Sequence, residues 1–173
     1  MELYAERGYE QTTVAEIAQR AGLTARTFFR YFADKREVLF HGSEALGEQL
    51  DSVLAAAPAS ATPLAAVAEA LGAVAETIGQ DRDFSRRRQA IISANAELQE
   101  RELIKLAGWS AAMTEGLVRR GVDEPTASLA AQTGTAAFRV AFERWLADPG
   151  DRSLAETLRD SFAQLSGVIA TGR

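Results

Sequence analysis

Three polar side chains, Arg26, Thr27 and Arg30, fall on one side of a short predicted helix. At about 100° per residue, Phe28 and Phe32 fall on the opposite side. An arginine can read the edge of a guanine or grip a phosphate, so a face of this kind suits the major groove of DNA. These residues therefore offer recognition of nucleic acid rather than catalysis.

The segment before this helix carries the signals that would position it. Thr13 and Glu16 form a capping box, in which each side chain satisfies a backbone N–H of the other residue. Gly22 suits the left-handed conformation that ends a helix, and Leu23 is expected to be an apolar plug in the turn. Thr24 then caps the next helix. This order of signals predicts a helix-turn-helix whose partner is DNA.

A third helix is predicted to start at Lys35, after a second capping box of Asp34 with Glu37, and to run to about Ala57. Lys35 would then lie at a helix N-terminus, where N–H groups and the helix dipole favour a phosphate. Basic residues on a short helix usually form only a solvated face. The combination of two caps, a turn glycine and a basic outer face favours DNA binding instead.

The composition excludes several kinds of function. The 173 residues include no cysteine and one histidine, so thiol chemistry is excluded, and no metal or cofactor is expected. Almost no segment alternates with a period of two, which predicts an all-α protein. The chain has neither a signal peptide nor an apolar run long enough to span a bilayer, so we expect a cytoplasmic protein with no membrane partner. A helical enzyme is the weaker alternative, because no carboxylates pair persuasively.

The net charge of −5 is unevenly distributed. Residues 1–41 contain six acidic and six basic side chains, so the acidic excess lies in the remainder of the chain. Residues 24–36 carry four cations and one carboxylate. A local positive charge of this kind is compatible with phosphate contact, while the acidic remainder limits nonspecific binding.

Further helices are predicted at about 63–79, 85–95, 97–120, 125–147 and 153–170, after a linker at 58–63. Large apolar side chains on the middle helices leave two interpretations open, a hydrophobic core or a ligand cavity. The candidate ligand-binding residues are Trp109, Met113, Phe138 and Phe142.

The last predicted helix has an apolar stripe of Leu154, Leu158, Phe162 and Leu165, and the helix before it has small residues on one surface. The stripe fits either the core of one subunit or a dimer interface.

The N-terminal residues Glu6 to Phe40 resemble the TetR family of bacterial transcriptional repressors. The matching features are Gly8-Tyr9, the pattern T-x-x-x-I-A from Thr13, the sequence AGLT from Ala21, and Tyr31-Phe32 followed by Lys35. The chain begins in what corresponds to the later part of the family's first helix. The remainder is more weakly similar to regulators of the mycofactocin type.

The resemblance implies an all-α fold with a DNA-binding domain at 1–41 and a ligand-binding and dimerisation domain at 42–173. It implies a homodimer on a palindromic double-stranded operator, acting as a repressor that a small apolar effector, such as an acyl thioester, releases. The alternative is a helical ligand-sequestering or protein-interaction module with a non-functional DNA head. The DNA-contact roles that the resemblance implies fall on Thr24, Arg26, Thr27, Phe29, Arg30, Tyr31 and Lys35. Phe29 replaces the tyrosine common in the family, so it lacks a hydroxyl for a phosphate.

Overall fold

The computed structural model describes residues 1–170, without the side chains of residues 166, 169 and 170, and these described residues form helices and no strand. The prediction of an all-α protein is therefore confirmed. None of the described helices is both long and apolar enough to cross a bilayer. The helices are α1 (Glu2–Arg7), α2 (Val14–Arg20), α3 (Ala25–Tyr31), α4 (Glu37–Phe40), α5 (Ser43–Ala56), α6 (Pro63–Ile78), α7 (Arg82–Ser93), α8 (Ala96–Arg119), α9 (Glu124–Ala147) and α10 (Leu154–Ala170).

The described residues form two compact units, and each unit is built from two separate stretches of chain. The head unit consists of Met1–Ser43 and Asp83–Ile104. The body unit consists of Glu44–Arg82 and the described residues from Lys105 onward. A domain boundary at residue 41 stays a prediction; the compact head unit takes in a second segment that this boundary does not include.

The core of the head unit joins α1 and α4 to the second segment. Its buried side chains are Tyr4, Tyr9, Leu39, Phe40, Ile92 and Leu98. Arg88 of α7 lies along this core: its Nε donates to the carbonyl of Leu39 at 2.8 Å, and its guanidinium lies 5.1 Å from the Phe40 ring centroid. Arg101 of α8 forms an ion pair with Glu37 of α4. Residues far apart in sequence thus complete one small hydrophobic core.

The prediction of one continuous helix from Lys35 to about Ala57 is wrong. The chain forms the short helix α4, passes through His41 and Gly42, and starts α5 at Ser43. Gly42 has a φ of +85°, a left-handed conformation that side-chain-bearing residues rarely adopt. The helix therefore breaks at this glycine.

The core of the body unit lies where α6, α9 and α10 pack together. Its fully buried members include Leu71 of α6, Trp145 of α9 and Leu154 of α10. Gly134 of α9 faces α6 so closely that a Cβ there would collide with the Val67 side chain. Since only glycine avoids this collision, the small residue sets how closely the two helices approach.

Candidate nucleic-acid interface

The caps predicted for α2 and α3 are present. The Thr13 N–H donates to Glu16 Oε2 at 2.8 Å, and the Glu16 N–H donates to Thr13 Oγ1 at 3.3 Å, which completes the capping box. The Thr13 hydroxyl also donates to Glu16 Oε2, at 2.9 Å, and the hydrogen bonds that the Thr13 N–H and hydroxyl donate to the Glu16 carboxyl lower its pKa. Thr24 caps α3 by accepting from the Thr27 N–H at 3.1 Å. The helix-turn-helix therefore begins each of its helices with a side-chain cap.

The turn between α2 and α3 differs from the prediction at Leu23. Gly22 has a φ of +68°, and the Leu23 N–H donates to the Ala18 carbonyl at 2.8 Å. The Leu23 side chain, however, is 44% exposed. The apolar plug predicted there is wrong, because the backbone hydrogen bond holds the turn while the side chain points outward.

Helix α3 separates a buried side from an exposed one. Phe28 is 3% exposed and lies 5.1 Å from Phe32, centroid to centroid. Phe29 is 58% exposed and Tyr31 65% exposed. Among the other candidate DNA-contact residues, Thr24, Arg26 and Arg30 are exposed and Thr27 is half-buried. Six of the seven candidates thus lie on α3 or at its cap, and five of these are exposed.

Three arginines within residues 1–41 pair with carboxylates. Arg7 pairs with Glu16 at 2.7 Å, Arg20 pairs with Glu2 and Glu6 at 3.1 Å each, and Arg36 Nε donates to Asp34 at 2.9 Å. The guanidinium of Arg36 also lowers the pKa of Asp34.

The two arginines of α3 have no carboxylate partner among the described residues. No hydrogen bond or ion pair is formed by the Arg26 side chain within the described part of the chain. Arg30 Nη2 donates to the Tyr31 hydroxyl at 2.9 Å, and its guanidinium lies 4.9 Å from the Tyr31 ring centroid. Both positive charges are therefore available to an external anion.

Lys35 is placed differently from the sequence expectation. Helix α4 begins at Glu37, so Lys35 precedes the helix rather than starting it. Its Nζ donates to the carbonyls of Tyr9, Glu10 and Thr12 at 2.8, 3.3 and 3.2 Å, and it lies 4.2 Å from the Tyr9 ring centroid. An ammonium group has three donors, and these carbonyls accept all three. No short-range sequence signal indicates this contact, because its partners lie more than twenty positions away.

The four candidate ligand residues lie together in the body unit. Met113 is 1% and Phe138 4% exposed, while Trp109 and Phe142 are half-buried. The ring centroids of Trp109 and Phe138 are 5.6 Å apart, those of Phe138 and Phe142 are 6.2 Å apart, and Phe142 is followed by Trp145 at 5.9 Å. We call the four rings of Trp109, Phe138, Phe142 and Trp145 the aromatic ladder. Beside the ladder, the hydroxyls of Ser110 and Thr135 are 2.8 Å apart.

A separate groove of about 480 Å³ lies between α5, α6 and α10 of the body unit. None of the four candidate ligand residues lines it; its apolar wall includes Val53, Leu158 and Phe162.

The stripe predicted on the last helix is largely internal. Leu154 is fully buried and Leu158 is 2% exposed, both within the core of the same chain, while Phe162 and Leu165 are half-buried. The exposed apolar side chains of α9 and α10 lie outside the stripe: Leu129 of α9 is 70%, Val140 of α9 is 50% and Val168 of α10 is 73% exposed. Two of the four residues predicted for the dimer interface, Leu154 and Leu158, are thus already buried within one chain.

Both parts of the chain match known families. Residues 1–41 match the bacterial regulatory proteins of the tetR family, and residues 61–170 match the MftR C-terminal domain. The chain belongs to the TetR family of transcriptional regulators, with a C-terminal domain of the MftR type. It is accordingly a DNA-binding transcriptional regulator.

Three relatives illustrate the likeness. TcmR, an HTH-type transcriptional regulator of Streptomyces glaucescens, is 41% identical over 83 residues, which span 48% of this chain but only 35% of TcmR. MftR of Mycobacterium tuberculosis, assigned as a mycofactocin biosynthesis transcriptional regulator, is 28% identical over 165 residues, covering 94% of this chain and 83% of MftR. FadR of Thermus thermophilus, a TetR-family repressor solved in complex with lauroyl-CoA, has the same fold, with a TM-score of 0.59 and 24% identity over 95% of this chain and 88% of FadR.

Proposed function

We propose that the protein is a dimeric, ligand-responsive repressor that acts in the cytoplasm and binds a palindromic operator through the exposed side of α3. The observation that carries this proposal is the pair of exposed arginines, Arg26 and Arg30, which have no carboxylate partner in the described part of the chain. Arginines of this kind read guanine or neutralise phosphate. The exposed Tyr31 hydroxyl supports Arg30, because the 2.9 Å contact limits where the guanidinium points.

Affinity for DNA from upstream of the protein's own gene, compared with unrelated DNA, tests this assignment. Arg26→Ala or Arg30→Ala should each weaken specific binding by roughly 1–3 kcal/mol if the side chain contacts a base. Arg87→Ala is the matched control, since it removes an equal charge from an exposed position outside α3. Equal losses in all three variants would contradict the assignment of α3 as the contact surface. No DNA binding even at low salt would contradict the proposal as a whole and favour a ligand-sequestering module.

The effector that we propose is a small molecule with a long apolar chain, such as an acyl thioester, bound along the aromatic ladder. Trp109 and Phe142, the half-buried rings on either side of the buried Phe138, offer the apolar surface of the ladder, and the half-buried Ser110 hydroxyl offers a polar contact beside it. Ligand sites are typically apolar with a few polar groups that fix orientation. The lauroyl-CoA bound by the FadR relative makes that compound a suitable probe.

The chain's two tryptophans allow a direct test, because they lie at opposite ends of the ladder. Trp145→Phe leaves Trp109 as the only reporter, and Trp109→Phe leaves Trp145, whose ring faces the Arg82 guanidinium at 5.0 Å. Lauroyl-CoA should change the fluorescence of both variants, whereas free coenzyme A should change neither. An absence of any response to lauroyl-CoA would refute the acyl-chain assignment.

Release of DNA requires that the ligand favour a state with lower operator affinity. By linkage, the operator must then weaken ligand binding by the same factor that the ligand weakens operator binding. Equal ligand affinity with and without operator would show that the ligand does not regulate DNA binding.

The dimer is supported by the exposed apolar residues of α9 rather than by the buried leucines of α10. A two-fold axis would present two copies of α3 to half-sites about 34 Å apart, one turn of the double helix. Sedimentation as a monomer at micromolar concentration would refute it.

A further inference from the structure

Phe29 is the exposed aromatic ring of α3 that has no polar atom. Its side chain is 58% exposed, although α3 already buries Phe28 and contacts Phe32 on its inner side. The Phe28 ring meets the Phe29 ring edge-on, with centroids 5.5 Å apart and an interplanar angle of 90°. This contact supports the Phe29 ring from one side and leaves the rest of it in solvent.

The position of Phe29 on the helix places it next to the charged surface. Residues three positions apart on a helix differ by about 60° in direction and are surface neighbours. Phe29 therefore lies beside Arg26, one turn further along the same side of α3. A DNA duplex that Arg26 contacts would meet the ring as well.

The chemistry of the ring limits what it can recognise there. A phenyl group has no hydroxyl to bond a phosphate and no donor or acceptor for a base edge. The apolar group that an unmodified major groove presents is the 5-methyl group of thymine. Burial of a ring against this methyl group removes apolar surface from water on both partners.

We propose that Phe29 is a specificity-determining residue that selects thymine in each half-site by contact with its 5-methyl group. The proposal rests on the proposed binding of DNA through α3, and it adds the identity of one base. Loss of one methyl contact should weaken binding about fourfold, the equivalent of about 0.8 kcal/mol for one buried carbon. Loss from both half-sites of a palindrome should then weaken binding roughly 15-fold.

The test uses the full chain and a synthetic, unmethylated DNA library from which the preferred operator is selected. Each thymine of that operator is then replaced by 2′-deoxyuridine, which removes only the methyl group. We expect one thymine per half-site whose replacement weakens binding about fourfold, and no loss from that replacement in Phe29→Ala. Phe29→Leu, which keeps an apolar side chain, should retain part of the preference. Using an unmethylated library ensures that 5-methylcytosine, which carries the same methyl group, cannot supply the contact.

The outcomes separate this inference from the proposed function. If the operator binds and Arg26→Ala weakens it, yet no uridine replacement matters, the thymine assignment is overturned and the DNA-binding surface stands. The same holds if Phe29→Ala shows an undiminished uridine penalty. If the library yields no bound DNA at low salt, both proposals fail. If Phe29→Ala unfolds at the Tm of the wild-type protein, a change in its DNA binding does not come from a damaged fold.

Discussion

Replacing Lys35 by methionine removes the ammonium group while keeping most of the side-chain length. Three carbonyls, those of Tyr9, Glu10 and Thr12, lose a charged donor at 2.8–3.3 Å. A hydrogen bond to a charged group contributes about 1.5–3 kcal/mol to stability. Lys35 is only half-buried, so water replaces part of what is lost. We therefore expect the free energy of unfolding to fall by about 2 kcal/mol, or Tm by about 4–8 °C.

Urea unfolding and the salt dependence of DNA affinity together test this reasoning. If Lys35 positions the loop between α1 and α2, Lys35→Met lowers stability and leaves the slope of log affinity against log salt unchanged. If Lys35 instead holds a phosphate, stability is preserved and the slope falls by about one unit. Arg30→Met is the matched control, because Arg30 is exposed and bonds only the Tyr31 hydroxyl among the described residues. Arg30→Met should keep its stability and reduce the salt slope by about one unit. The same result for Lys35→Met would refute the positioning role.

Three further predictions concern assembly, packing and pH. Leu129 is 70% exposed in one chain, so Leu129→Glu should leave the fold intact but break the proposed dimer, and sedimentation should show a folded monomer. Leu158 is buried, so Leu158→Glu should lower Tm sharply because it buries a charge. Gly134→Ala should destabilise the protein by about 1–3 kcal/mol in urea unfolding, because its Cβ collides with Val67; an unchanged midpoint would show that the helices can separate without cost. The pKa of Asp34 is lowered in the folded state, so its contribution to stability is present above its ordinary pKa and is lost as the pH falls through the folded pKa. In unfolding curves measured over a series of pH values, Asp34→Asn should therefore lose less stability than the wild type as the pH falls.

The starts of α2 and α3 were predictable from the sequence, whereas the start predicted at Lys35 is wrong, because α4 begins at Glu37 without a side-chain cap. Thr13 with Glu16 and Thr24 with Thr27 form the expected hydrogen bonds, because each cap is complete within four consecutive residues. The exposed arginines of α3 were predictable for a similar reason, since helical periodicity alone separates them from Phe28. Information of this kind is local in the chain.

Contacts between distant segments could not be predicted from the same patterns. The carbonyls that bind Lys35 lie in a loop whose position depends on how α1 packs in the head unit. The apolar stripe containing Leu154 and Leu158 is equally suited to a core and to an interface, and only the packing of α6 and α9 against α10 decides between them. The helix break at Gly42 could not be predicted either, because a glycine can be accommodated within a helix or can end it.

The composition of the head unit has a consequence for the construction of chimeric regulators. A fusion that joins residues 1–41 to another regulator's body separates Tyr4, Tyr9 and Phe40 from Ile92 and Leu98, with which they share a buried core. It also leaves Glu37 without Arg101. A transplant that carries Asp83–Ile104 along with the N-terminal segment keeps these partners together. For exchanging DNA specificity between relatives, the transferable module is therefore a pair of segments, and the recipient must accept two crossovers more than an N-terminal graft requires.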